Sequence, residues 1–347
     1  MRAATTVEGS GQPWGELVEF VTEAERLGLD ICWVAEAWGA DAVSVLGHLT
    51  ARTTTLRLGS AVLQLGTRSA VAVAQAAISL SNMSDGRFSL GLGASGPQVI
   101  EGLHGVAFDR PLRRADETVQ VIRAAMSGER IAFDGREIRI PRPGSATRPM
   151  RLSSTPRHPI PIYLASMSPK MLELTGRVAD GWLGTSFVPE GSGEAYFAHL
   201  DAGLAAAGRT RAELDVCQGA ELALLDDEDA VAAHVSSRKQ ELAFSLGGMG
   251  SSDTNFYNAA YARQGWADVA AAVREAWQGG DRAGAAALVT DEMVLATTLI
   301  GTETMVRDRL AVWRAAGVDT VRIYPAGGDL ASRLDTLARG IALVHAA

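Results

Sequence analysis

Residues 160–185 read IPIYLASMSPKMLELTGRVADGWLGT. An apolar run ends in small and polar residues, a helical stretch follows through Val178, and a second apolar run starts after Asp180. Ser168 is placed as the N-cap and Pro169 as the first helical residue, because proline has no N–H to lose there and its fixed φ suits the first turn. Strand, helix, strand in this order is the repeating unit of a parallel sheet.

Outward from this unit the alternation repeats. Short β-branched and apolar runs predict eight strands, at 2–8, 30–36, 56–63, 87–92, 160–165, 180–185, 214–223 and 318–324. Between them lie amphipathic segments. Leu17, Val21, Ala24 and Leu27 share a helical face closed by Gly28, and Val306, Leu310 and Trp313 share another closed by Gly317. Eight strands alternating with helices predict an α/β fold, a closed (β/α)8 TIM barrel, rather than an open doubly wound sheet of five or six strands. The 347 residues read as a single barrel domain over 1–347. It carries a small hairpin at about 129–140, turning at Asp134-Gly135, and a helical, Ala-rich insertion at about 241–300 before the last βα unit.

Composition narrows the function. Hydrophobic residues make up 47% and charged residues 21%, as in an ordered globular enzyme. Against 40 acidic residues stand 32 Lys and Arg, and a net charge of −8 disfavours nucleic acid and anionic membrane surfaces as partners. A small-molecule substrate is expected instead. The opening MRAATTVEGS lacks the apolar segment of an export signal, and no run approaches the ~18 apolar residues of a spanning helix. Cys32 and Cys217 each sit in an apolar stretch and read as core residues, consistent with a cytoplasmic protein. The six histidines show no metal-ligand spacing.

A barrel builds its site at the carboxyl ends of its strands. After the second strand, Glu36 either contacts substrate or anchors the mouth through an Arg or a backbone amide, and Trp38 either walls a flat ligand or caps the core. Gln64 is a strand-end amide after the third. After the fourth comes GLGASG at 91–96, whose glycines suit close backbone approach to a ligand. This matches G-x-G-x-x-G, but no helix start is expected after Pro97, so a dinucleotide loop is rejected. His104, in the loop beyond, is either placed to reach the mouth or a solvated loop residue. After the fifth strand, the free amides of the helix starting at Ser168, with the hydroxyls of Ser166 and Ser168, form either a phosphate cradle or a plain capped helix start. Asp329, an N-cap after the eighth strand, would repel an anion.

Several segments together, among them AERLGLDICWVAEAWGADA, LRLGSAVLQLGTRS, MSDGRFSLGLGASGPQVIEGLHG and IPIYLASMSPKMLELTGRVADGWLGT, resemble the bacterial luciferase-like superfamily. Within it they are most similar to the coenzyme F420-dependent oxidoreductases that include methylenetetrahydromethanopterin reductase. The resemblance implies a barrel that is usually dimeric, with a deazaflavin across the carboxyl ends of its strands. It implies that Glu36 is the acid bordering the ring, and that Ala61 and Val62 form a bulge with a non-proline cis peptide backing it, Gln64 lying just beyond. Gly93, Ala94 and Ser95 would flank the ring, and Ala165, Ser166, Met167 and Ser168 would hold the cofactor phosphate. The alcohol and sugar-phosphate dehydrogenases of the family carry a His after the acid, where this chain has Ala37. Without that base a reductase is expected, its proton coming from Glu36, His104 or water. The alternatives are an FMN-dependent monooxygenase on the same fold and a noncatalytic deazaflavin carrier. Asn255-Phe256-Tyr257-Asn258 in the insertion is expected to cover the site.

Overall fold

The computed structural model describes residues 1–250 and 255–347; part of the insertion read at 241–300, positions 251–254, lies outside the described residues. The barrel strands are β1 (Arg2–Glu8), β2 (Ile31–Ala35), β3 (Arg57–Ser60), β4 (Phe88–Gly93), β5 (Ile162–Ala165), β6 (Gly181–Gly184), β7 (Asp215–Leu224) and β8 (Thr320–Pro325). Each pairs in parallel with the next, and β8 returns to β1, where Ala4 faces Arg322. The outer helices are α1 (Trp14–Arg26), α2 (Ala42–Thr50), α3 (Ala70–Met83), α4 (Pro111–Met126), α5 (Pro169–Val178), α6 (Ala198–Ala206), α7 (Glu228–Ala243), α8 (Phe256–Tyr261), α9 (Ala267–Gln278), α10 (Arg282–Leu288), α11 (Asp291–Thr297), α12 (Glu303–Ala315) and α13 (Leu330–Ala346). None is long and apolar enough to cross a membrane.

Alternation along the strands sorts side chains into two cores. Outward-facing Ala3, Cys32, Val34, Leu58, Leu90, Leu164, Val216, Val321 and Ile323 pack against the helices. Inward-facing Ala4, Ile31, Trp33, Tyr163, Leu183 and Cys217 fill the barrel. Both cysteines are free and buried, and burial pushes each thiol up to about 12. The interior accommodates two large rings because the strand beside each contributes a glycine. A Cβ on Gly59 would stand 2.4 Å from the Trp33 ring, and one on Gly181 would stand 2.1 Å from that of Tyr163. The two rings meet edge to face, with centroids 5.0 Å apart. Below them Asp215 gathers three strands: Arg2 pairs with it at 2.7 Å, and the hydroxyls of Tyr163 and Thr320 donate to it at 2.6 and 3.0 Å.

Differences from the sequence reading are local. The run 56–63 is not one strand: it breaks after Ser60, and Leu63–Gln64 then pairs with Leu92–Gly93 of β4. The strand expected from 160 starts at Ile162, since Pro161 has no N–H to give a ladder. A helical turn does follow Pro97, contrary to expectation, but it ends at Ile100. The hairpin pairs Phe133 with Ile140 and Asp134 with Arg139. Its loop is pinned by the buried Glu117 of α4, whose carboxylate accepts the amides of Arg136, Glu137 and Ile138. Burial raises the Glu117 carboxyl, but these bonds outweigh it and leave the group below its ordinary value. The extra helical run begins at Glu228, earlier than read, and leads to a short strand, Leu299–Gly301, on the end of β7.

Replacing Gly59 with Ala drives a methyl into the fixed Trp33 ring. Urea unfolding is expected to show a loss of about 2–3 kcal/mol, against little change for Gly15→Ala on the open face of α1, where nothing lies within 4 Å.

Candidate active site

The mouth of the barrel has two unlike halves. On the β2–β5 side the lining is small. Ala61 and Val62 are joined by a cis peptide bond, and Ala61, Val62 and Ala165 pack on the Trp33–Tyr163 core from above. Gly93 brings these strand ends together: a Cβ there would lie 2.6 Å from Val62 Cγ2 and 3.4 Å from Ala165 Cβ. Val62, Gly93 and Ala165 thus form one shallow shelf. Beside it, Ala37 (φ 38°), Ser95 (φ 60°) and Ser186 (φ 54°), following β2, β4 and β6, hold left-handed backbone. Such residues cost about 1–3 kcal/mol each and gather where geometry serves a ligand.

Glu36 is buried, and its carboxylate takes a two-pronged contact from Arg68, at 2.7 and 2.8 Å, and the amide of Ala42 at 3.1 Å. Arg68 also pairs with Asp41, the N-cap of α2. Burial would raise the Asp41 carboxyl, but Ser44 and Arg68 together hold it below the usual carboxylate range. Of the two roles open for Glu36, the anchoring contacts are both present. Gln64 donates from Nε2 to the Ala37 carbonyl, and its Oε1 is buried without a partner. Trp38 is 71% exposed and caps no core. His104 is exposed in the turn after Pro97–Ile100, and its ring makes no hydrogen bond among the described residues.

The loop after β5 divides in two. Ser166 turns inward: its hydroxyl bonds Thr175 of α5 at 2.8 Å and its carbonyl takes the Trp182 indole N–H at 2.9 Å. Ser168 stands at the N-cap of α5, but its side chain makes no capping bond there. The hydroxyl and first-turn amides are therefore not spent on each other. Met167 accepts from Arg263, a residue of the insertion, at 2.6 Å. The next residue, Gln264, donates to the Ser186 carbonyl at 2.7 Å and accepts the Val188 amide at 2.7 Å. Two consecutive side chains thereby stitch the insertion to the loops after β5 and β6.

Over the β6–β8 half, the insertion encloses a cavity of about 620 Å³, large enough for a small molecule. Its floor is Thr185, Ser186, Gly219, Glu221 and Tyr324, and its roof includes Tyr257, Tyr261 and Trp277. Tyr257 faces the cavity as the sequence suggests, whereas Phe256 does not line it, and Asn255 and Asn258 bond the backbone of Leu246. Glu221, at the end of β7, meets His234 at 2.9 Å and Arg238 at 2.5 Å, both from α7. Asp329 caps α13 through the Ser332 amide, as expected.

Sequence reading missed Arg68, Glu221, Arg263, Arg322 and Tyr324. Glu221, Arg322 and Tyr324 were detectable as polar residues at inward positions of apolar strands; Arg68 and Arg263 left no local signal. Removing Arg68 strands the buried Glu36 charge. Arg68→Met is expected to lose about 3 kcal/mol in urea unfolding, and the double variant Glu36→Gln, Arg68→Met to lose clearly less than the two single changes combined.

Comparison with known proteins agrees with this geometry. The family model described as luciferase-like monooxygenase matches residues 1–320. A protein of Mycobacterium tuberculosis that carries the name "putative coenzyme F420-dependent oxidoreductase" is 37% identical over 91% of this chain and 92% of its own. The 5,10-methylenetetrahydromethanopterin reductase of Archaeoglobus fulgidus is 29% identical over 94% of each. In fold, the coenzyme F420-dependent tetrahydromethanopterin reductase of Methanopyrus kandleri superposes with a TM-score of 0.78 at 22% identity, covering 97% of both chains. With the shelf, the unspent helix start at Ser168 and the covered cavity in place, the chain belongs to the luciferase-like monooxygenase family, on its branch of coenzyme F420-dependent oxidoreductases.

Proposed function

We propose that the protein uses coenzyme F420 to transfer a hydride between the deazaflavin and a small organic substrate, and that it works as a reductase. The observation that carries this reading is the shelf of Val62, Gly93 and Ala165, which leaves a flat patch free of side-chain bulk beside the start of α5. Its fit to the cofactor rests on three features. A planar ring packs on a surface without projecting side chains. The buried Gln64 Oε1 lacks a donor, which a ring N–H supplies. The first-turn amides and uncommitted hydroxyl of Ser168 receive an anionic tail. Ala94 and Ser95 would border the ring, Ala165 and Met167 would offer the loop backbone, and Ser166 holds that loop to α5.

When bound, the reduced deazaflavin supplies the hydride. The chain's own contribution would be position and dryness: the shelf would hold the ring, and the cavity beneath Tyr257 and Trp277 would hold the acceptor. Glu36, gripped by Arg68, keeps the rim in shape. Ala37 has no side chain to withdraw a proton from an alcohol, and its carbonyl is occupied by Gln64, which supports reduction over oxidation. The relative from Archaeoglobus fulgidus is named a reductase, in keeping with that direction. A cytoplasmic homodimer completes the proposal, with the exposed Trp38 as an apolar surface for the partner; light scattering that reports a monomer at working concentration would remove that part.

Fluorescence titration tests the cofactor. The protein is expected to bind F420 in preference to FMN, and preference for FMN alone would overturn the reading. Ser168→Asp keeps a good N-cap but sets a carboxylate beside the tail; it is expected to weaken F420 binding about tenfold or more. Unchanged affinity would place the tail elsewhere. Tyr257→Ala is expected to raise the KM for an accepted substrate about tenfold while F420 affinity stays as in the native protein.

A further inference from the structure

Arg322 is a charge inside the barrel, apart from the shelf and from the Glu36–Arg68 pair. It projects inward from β8, is 6% exposed, and donates from Nη2 to the Gly184 carbonyl at 2.5 Å, while its buried Nε has no partner. Among the described residues no carboxylate pairs with it, whereas Arg238 of α7 is met by both Glu221 and Glu241. A buried guanidinium without a counter-charge is costly, and such a group is explained when a ligand brings the electron-rich atom.

The neighbours indicate where that atom sits. Gly219 of β7 is the register partner of Arg322, and the Tyr324 hydroxyl leans over the same glycine, 2.6 Å from where a Cβ would stand. Gly219 therefore leaves room for the Tyr324 ring at the cavity floor, and Arg322 stands two residues before Tyr324 on the same inward face of β8. Tyr324 lines the cavity, and its hydroxyl makes no hydrogen bond among the described residues. On the flanking strand β1, the buried Thr6 hydroxyl also has no partner. Glu221, the register partner of Tyr324, adds a carboxylate to the same floor, already paired with His234 and Arg238.

We propose that Arg322 and Tyr324 form an oxygen clamp, and that the acceptor is a carbonyl compound or an alkene conjugated to a carbonyl. This deepens, and rests on, the hydride-transfer reading. A C–H bond forms at the acceptor carbon with the two electrons of the hydride, and the π pair moves to the acceptor oxygen, where Arg322 meets the negative charge. The Tyr324 O–H bond breaks and its proton goes to that oxygen; the tyrosinate regains a proton from water. The acceptor is reduced by the same two electrons that the deazaflavin loses.

The test uses 4-nitrophenolate, an oxygen anion that cannot be reduced by this route and reports its binding by absorbance. The purified native protein is expected to bind it, Arg322→Met to bind about tenfold more weakly or worse, and Tyr324→Phe about fivefold more weakly. Equal binding by all three overturns the clamp. If circular dichroism finds Arg322→Met unfolded, the partly exposed Tyr324→Phe decides, and native affinity in that variant overturns it. With reduced F420 and cyclohexenone, Tyr324→Phe is expected to lower kcat about tenfold more than it changes KM, with F420 affinity unchanged. The two readings fail separately. Nitrophenolate binding that depends on Arg322 without F420 binding keeps the clamp and removes the deazaflavin, whereas F420 binding with nitrophenolate indifferent to both substitutions removes the clamp alone.

Discussion

The contact between Trp33 and Tyr163 decides how the barrel is filled and therefore where it is open. Two large rings, meeting edge to face, occupy the space that eight strands enclose, and each fits only because the neighbouring strand carries a glycine, Gly59 or Gly181, beneath it. Interiors are close-packed, so bulk spent low in the barrel is not needed higher up. Above the rings the inward residues shrink to Ala61, Val62, Gly93 and Ala165, and the shelf is the top surface of that plug. The site and the core share one packing solution.

A second constraint holds the rim. Left-handed backbone at Ala37 and Ser95 would relax if nothing opposed it, and beside Ala37 the opposition is polar: Arg68 ties Glu36 to Asp41 at the start of α2, and Gln64 ties the Ala37 carbonyl to the end of β3. On the other half the rim is held by the insertion, through Arg263 to Met167 and Gln264 to Ser186. These two adjacent residues add polar ties to the loops after β5 and β6, beside the apolar cluster in which Val188, Ala223 and Ile300 pack against Val235, Leu246 and Tyr261 of the insertion.

Much of this was readable from residue order. Ser168-Pro169 marks the helix start after β5 because capping chemistry is local, and Gly28 and Gly317 close their helices in left-handed conformation for the same reason. Glu36 was found at the rim, but whether it faced a ligand or an arginine turned on Arg68, 32 residues away, whose position depends on the turn after β3. Ser166 and Ser168, two residues apart in one short loop, take opposite duties: one hydroxyl is bound by Thr175 and the other is not spent on its helix. Trp38 and His104, placed near the mouth by loop order, are exposed because the loops that carry them turn outward.

Taken alone, the order of residues determined the eight-strand alternation, the helix start at Ser168-Pro169 and the helix stops at Gly28 and Gly317, since periodicity and capping act over one or two turns of chain. Only the folded structure decided which polar residues stand together. Arg322 meets Gly184 from 138 residues away, and Tyr324 overhangs Gly219 on the next strand. Such pairings depend on strand register and on space left by absent side chains, which are properties of the closed barrel and of no single segment within it.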